Sequence, residues 1–250
     1  MKRILLNADI GERGPFHPVD RELMDYIDIA NIACGGHAGD PESVAAFMSL
    51  AAERGVAVAA HLSYPDREGF GRKTVALPFE RLLQSLDEQL ALMPEPACVK
   101  FHGALYNDSV VESPLAAGLS EWMRDKKVVS VITLKGSELA AHCGRAGIAV
   151  MAEAFAERRY VYSPVSGRLS LVGRDRPDAS IADLEEAVGM VRAIVDEGKV
   201  PAFVDEVSSR EVRMIGIPVD TICIHSDSAI ALDLARAIRK VLEGGQHGRR

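Results

Sequence analysis

Ala97-Cys98-Val99-Lys100-Phe101-His102-Gly103 is the stretch on which the fold of this chain turns. Ala97–Phe101 is a short, mainly apolar run that reads as a β-strand, and it stops at an imidazole followed by a glycine. Strand side chains alternate, so Lys100 and His102 share one face. A lysine aimed into a protein interior is costly unless a partner neutralises it, which points to a role for Lys100. The pattern recurs along the chain. Strands are expected at Arg3–Ala8, Asp28–Ala33, Val56–Ala60, Ala97–Phe101, Val128–Thr133, Ile148–Ala152 and Thr221–Ile224. Asp9, His37, His61, His102, Glu153 and His225 lie at or just beyond their C-terminal ends.

Helical patterns fill the intervals. Glu42–Arg54 follows Asp40-Pro41, an N-cap residue with proline at the first helical position. Phe79–Met93 carries Leu82, Leu83, Leu86, Leu90 and Met93 as one stripe. Pro114–Arg124, Ser137–Arg145, Ala182–Asp196 and Asp227–Leu242 follow, and glycines at Gly55 and Gly147 supply helix stops. Alternating strands and helices argue for a parallel sheet. A polar residue after nearly every strand favours a barrel, which points all those ends at one mouth; an open sheet gathers only those near its switch point. The expectation is one α/β domain over residues 1–243, a seven-stranded parallel (β/α) barrel, with Gly244–Arg250 a flexible polar tail. Glu157–Ala179 reads as a long excursion bearing Arg158, Arg159, Arg168, Arg174 and Arg176, with room for a small hairpin.

Composition excludes several classes. The chain has 250 residues, 48% hydrophobic and 26% charged, and 29 basic against 36 acidic residues give a net charge of −7. Such a chain buries a core without staples and is a poor holder of nucleic acid or an anionic membrane surface. No apolar run approaches bilayer length, and the apolar stretch in MKRILLNADIGE is too short for a signal peptide. Cys34, Cys98, Cys143 and Cys223 form no CxxC pair, which excludes a zinc–thiolate site and a disulfide framework and suits free thiols in a cytoplasmic protein.

No GxxxxGK[ST], GxGxxG, GxSxG or HExxH pattern occurs. The strand-end residues carry the chemistry instead: they would converge on one pocket and shift one another's pKa. Asn7 and Asp9 fall two apart and should both face the barrel interior. Asp9, His61 and His102 make a one-carboxylate, two-imidazole set for a divalent metal ion; the other reading is a metal-free acid–base network. Gly35-Gly36, beside Asn31 and Cys34, either lets backbone approach a ligand or makes a tight turn. Gly69-Phe70-Gly71-Arg72-Lys73 either binds an anion or is a solvated turn.

Five motifs run in order across Ile4–Leu242. They are Leu6-Asn7-Ala8-Asp9-Ile10-Gly11-Glu12; Asn31-Ile32-Ala33-Cys34-Gly35-Gly36-His37-Ala38-Gly39-Asp40; Ser63-Tyr64-Pro65-Asp66 with Gly69-Phe70-Gly71-Arg72; Lys100-Phe101-His102-Gly103-Ala104-Leu105-Tyr106-Asn107; and Ile222-Cys223-Ile224-His225-Ser226-Asp227. Together they resemble the LamB/YcsF family. Ala8 stands where the family usually has Cys, Leu62 and Phe101 where it has Pro, Ser226 where it has Gly, and Glu157 where it has Asp. The resemblance implies an irregular seven-stranded barrel of the glycoside hydrolase/deacetylase type. It further implies ATP-dependent opening of 5-oxo-L-proline to L-glutamate, carried out with two partner subunits, B and C. In that scheme Asp9, His37, His61, Lys100 and His102 are catalytic, Asp9 as general base or metal ligand. Asn7, Glu12, Asn31, Arg72, Glu153, Arg158, His225 and Asp227 bind substrate, with Arg158 on its carboxylate. A weaker similarity, of Asp9, His61 and His102 to the metal triad of YdjC-type sugar deacetylases, implies a divalent metal ion. The rival readings are such a deacetylase and a non-catalytic small-molecule-binding or regulatory subunit.

Overall fold

A computed structural model describes residues 3–93, 97–174, 176–204 and 211–247. In chain order its strands are β1 (Leu5–Ile10), β2 (Ile29–Ala33), β3 (Ala57–Leu62), β4 (Cys98–Phe101), β5 (Ser130–Thr133), β6 (Ala149–Phe155), β7 (Tyr160–Ser163), β8 (Arg168–Leu171), β9 (Lys199–Val204), β10 (Val212–Gly216) and β11 (Thr221–His225). The helices are α1 (Pro18–Leu23), α2 (Pro41–Arg54), α3 (Phe79–Leu90), α4 (Gly103–Val111), α5 (Ser113–Asp125), α6 (Glu138–Arg145), α7 (Leu184–Arg192) and α8 (Ala231–His247).

β1, β11, β6, β5, β4, β3 and β2 close into a barrel in that order, every pair parallel. All seven expected strands are present. Several run a few residues further than the apolar pattern suggested, so Asp9, His61, Glu153 and His225 sit inside the ends of strands rather than after them. The register sets their heights. Asp9 pairs with His225 on one side and Asn31 on the other, and His61 pairs with Lys100. Leu6, Ile10, Ile32, Phe47 and Leu62 are among the fully buried side chains of the core.

Local chemistry explains the connections. Asp40 caps α2 by accepting from Ser43 N, while Ser43 Oγ accepts from Asp40 N, and Pro41 opens the helix. Gly55 ends α2 at φ +66°, a conformation open to glycine at little cost. Between β6 and β11 the chain leaves the barrel and builds a second sheet, ordered β10-β9-β7-β8. β7 and β8 are the hairpin expected in the excursion; β9, β10, α1 and α4 were not foreseen. α8 runs to His247, so its backbone covers Gly244–His247 of the stretch expected as tail; residues 248–250 lie outside the described residues. No helix among the described residues is long and apolar enough to cross a membrane.

Candidate active site

Lys100 and Asp9 form the floor of the site. Lys100 Nζ donates to Asp9 Oδ1 at 2.9 Å, Asn7 Oδ1 at 3.3 Å and Cys223 Sγ at 3.0 Å, and lies 2.9 Å from Glu153 Oε1. These residues come from β1, β4, β6 and β11, so Lys100 points into the barrel as the alternation requires. Burial opposes its charge, but Asp9, Cys223 and Glu153 beside it more than offset that and hold it well above the usual lysine range. Burial likewise works to raise Asp9; His61 and Lys100 outweigh it and keep the carboxyl well below the usual range. Asn31 Nδ2 donates to both Asp9 Oδ1 (2.9 Å) and Asn7 Oδ1 (2.7 Å), while Asn7 Nδ2 donates to Thr221 Oγ1. The Asp9 Oδ2 oxygen is left facing His61 Nε2 at 3.3 Å and His225 Nε2 at 4.0 Å.

Three imidazoles gather beside this floor. His61 Nε2 and His102 Nδ1 are 3.0 Å apart. The ring of His37 stacks on that of His102, centroids 3.6 Å apart and planes 2° from parallel, while His61 stands at 85° to His102. Glu12 Oε1 accepts from His37 Nε2 at 3.0 Å and lies 3.4 Å from His102 Nδ1. Burial, then the charge of Asp9, pushes the Glu12 carboxyl up to about 7. Burial pushes His37 down to about 3 and, with His37 and His61 beside it, holds His102 well below the usual histidine range.

Phe70 and Gly71 of the glycine-rich turn pack against this cluster, while Arg72 and Lys73 are exposed. Phe70 takes φ +54°, unusual for a side chain other than glycine, and its carbonyl accepts from His102 Nε2 at 3.0 Å. Gly71 takes φ +61°, and a Cβ there would lie 2.9 Å from His37 Cβ. Gly103 takes φ +58°, and its Cβ would stand 2.3 Å from Gly71 O, the acceptor for Ala104 N. Gly103→Ala must therefore both strain the backbone and push the turn off the histidines. We expect a loss of more than about 1–3 kcal/mol, the usual cost of one such strained residue, read as a lowered denaturation midpoint. Gly36 answers the other glycine question: a Cβ there would lie 2.4 Å from Gln89 Oε1 and Ser63 Oγ, so the backbone packs against protein.

A cavity opens above the floor, lined by Asp9, His61, Lys100, His102 and His225 with Tyr106 and Phe155. Arg72, Arg158 and Arg174 also line it, and Arg158 and Arg174 continue into a neighbouring cleft. Arg158 is buried and donates to Val172 O and Ala179 O; burial, with Arg174 beside it, lowers it to about 10. Arg72 pairs with Asp227 at 2.7 Å over the Phe70 ring. His225 Nδ1 and its backbone N both lie 2.7 Å from Glu157 Oε1. That contact leaves His225 Nε2 aimed at Asp9, the orientation a carboxylate gives a working imidazole.

The structure brings Asp9, His37, His61, Lys100 and His102 together and sets Arg72, Arg158 and His225 around the same cavity. Asn7 and Asn31 are fully buried beneath it and hold Asp9 and Lys100. Glu153 is buried as a counter-charge to Lys100, Glu12 joins the histidines, and Asp227 meets Arg72. Glu157, Tyr106, Arg174 and Cys223 were not singled out as site residues; Glu157 carried a usable signal, an acid two residues past β6.

The sequence profile of the LamB/YcsF family matches residues 4–249. A Methylococcus capsulatus protein that bears the name of the A subunit of 5-oxoprolinase is 37% identical over 253 residues, covering 96% of this chain and 92% of its own. A Pyrococcus abyssi protein of the same name is 38% identical over 252 residues, covering 96% and 94%. The crystal structure of the lactam utilization protein from Thermus thermophilus has a TM-score of 0.79 at 32% identity, with 98% of each chain covered. Matched by the family profile over residues 4–249 and similar to these relatives along nearly its whole length, the chain belongs to the LamB/YcsF family.

Proposed function

We propose that this chain is the A subunit of a 5-oxoprolinase, opening the lactam ring of 5-oxo-L-proline to L-glutamate together with partner subunits B and C. The observation that carries the reading is the cavity itself. An ionised carboxylate, a buried ammonium and imidazoles lie at its floor, with arginines at its wall. The substrate's two handles suit the two ends: its carboxylate suits Arg158 and Arg174, and its lactam suits the floor. The free Oδ2 of Asp9, kept ionised beside His61 and His225, accepts the proton of an attacking water, and Lys100 balances the charge that gathers there. His225, oriented by Glu157, returns a proton to the departing ring nitrogen. ATP supplies the activation that a stable lactam needs: its γ-phosphoryl group passes to the lactam oxygen, attack of one water lets the C–N bond break to leave the ring-opened acyl phosphate, and a second water releases glutamate and phosphate. The arginines fit an anion, but the sequence has no phosphate-cradling loop of the usual pattern, so we assign nucleotide handling to the assembly. A cytoplasmic setting fits the four buried, unpaired cysteines.

The test is glutamate release from 5-oxo-L-proline and ATP, measured on the purified chain with and without the B and C subunits. Turnover is expected with all three and little or none with this chain alone. Vigorous ATP-dependent turnover by the single chain, or none by the three together, would overturn the assignment.

A further inference from the structure

The facing nitrogens of His61 and His102 reveal their protonation. A backbone carbonyl only accepts. His61 Nδ1 lies 3.2 Å from Lys100 O, so its proton is on Nδ1. His102 Nε2 lies 3.0 Å from Phe70 O, so its proton is on Nε2. With both rings neutral, each carrying one N–H, His61 Nε2 and His102 Nδ1 face each other as bare lone pairs 3.0 Å apart. At that distance they repel unless a cation, a metal ion or a shared proton, lies against both. Glu12 Oε1 closes the triangle at 3.4 Å from His102 Nδ1 and 3.9 Å from His61 Nε2. Bonds of about 2.0–2.1 Å to a tetrahedral ion set its ligands about 3.3–3.4 Å apart, and the three edges of this triangle bracket that spacing.

His37 belongs to the cluster of potential ligands, but ring geometry gives it a different place. An imidazole lone pair lies in its ring plane, so two rings stacked 2° from parallel cannot both aim at one ion. His61, at 85° to His102, can share one with it. His37 instead donates to Glu12, the outer partner that fixes a ligand carboxylate. Asp9 gathers instead with Cys223 and His225; its Oδ1 is taken by Lys100 and Asn31, and its free Oδ2 flanks His61 Nε2 at 3.3 Å.

We propose that Glu12, His61 and His102 bind one divalent transition-metal ion, with zinc the best match to the donor set, and that His37 holds Glu12 in place. His61 and His102 line the cavity, so the fourth position opens to it and takes water or a substrate oxygen. This site stands independently of the lactam reading, because binding needs no substrate and no partner subunit.

The test strips the full-length chain with a chelator, adds back Zn²⁺ or Co²⁺, removes excess and measures bound metal by mass spectrometry, with the visible spectrum of the Co²⁺ form as a second readout. One ion per chain is expected, with the absorption of a four-coordinate nitrogen–oxygen site. Glu12→Gln, His61→Gln and His102→Gln, each checked for folding by circular dichroism, should weaken binding beyond the about 10–100-fold that an outer partner costs. His37→Gln should fall within that range. Asp9→Asn should keep one ion. A folded wild-type chain that retains no ion, showing instead a proton shared between His61 and His102 by nitrogen NMR, would overturn the proposal. So would loss of the ion in Asp9→Asn with retention in Glu12→Gln.

Discussion

Lys100→Met is expected to cost about 3–5 kcal/mol of folding stability, the range for removing one partner of a buried ion pair. A whole domain has only about 5–15 kcal/mol in hand. Methionine fills much of the lysine's space, so the loss reports charge more than volume. Asp9, Glu153 and Asn7 all direct oxygens at Lys100 Nζ, and Lys100 is 2% exposed, so water does not replace the ammonium. Glu153 is itself buried, with Lys100 Nζ 2.9 Å from its Oε1 as the countercharge. Equilibrium denaturation is the measurement. Glu153→Gln introduced beside Lys100→Met should restore part of the loss, because it removes one of the stranded charges. A Lys100→Met chain within about 1 kcal/mol of wild type, the scale of an exposed pair, would show that this cluster does not hold the barrel together.

His61→Ala and His102→Ala should each cut 5-oxoproline turnover by the assembled enzyme about 10²–10⁴-fold, the scale of one acid–base group or ligand. Their melting transitions should stay close to wild type. Both residues stand at the C-terminal mouth of the barrel, where side chains serve chemistry more than packing, and His61 touches the Asp9 oxygen that the lysine leaves free. Steady-state kinetics beside a thermal scan separates the two effects. Near-normal turnover in either folded variant would remove that histidine from the reaction.

The seven barrel strands were legible because a strand buried on both faces is a local fact: a short apolar run bounded by glycine and polar residues. Their polar ends marked the mouth, and the two-residue spacing of Asn7 and Asp9 correctly set both facing inward. Most of the site could be read this way, because β1, β3, β4 and β11 carry it in regular backbone. The sequence could not show which carboxylate would meet the histidines. Alternation carries Asp9 inward, but it stops at Gly11, whose φ of +80° turns the chain while its N–H donates to Asp20. That turn brings Glu12 against His37 and His102, a position no periodicity encodes. Glu157 meets His225 across 68 residues of sequence. β9, with Pro201 inside it, and the mostly exposed β10 pair to build a sheet that neither pattern announces. The sequence by itself determined the barrel and the ring of strand-end residues, because these rest on burial and alternation within single segments. Tertiary structure alone decided the meeting of Glu12 with the histidines, the Glu157–His225 pair and the outer sheet, because each depends on turns and pairings between segments distant in the chain.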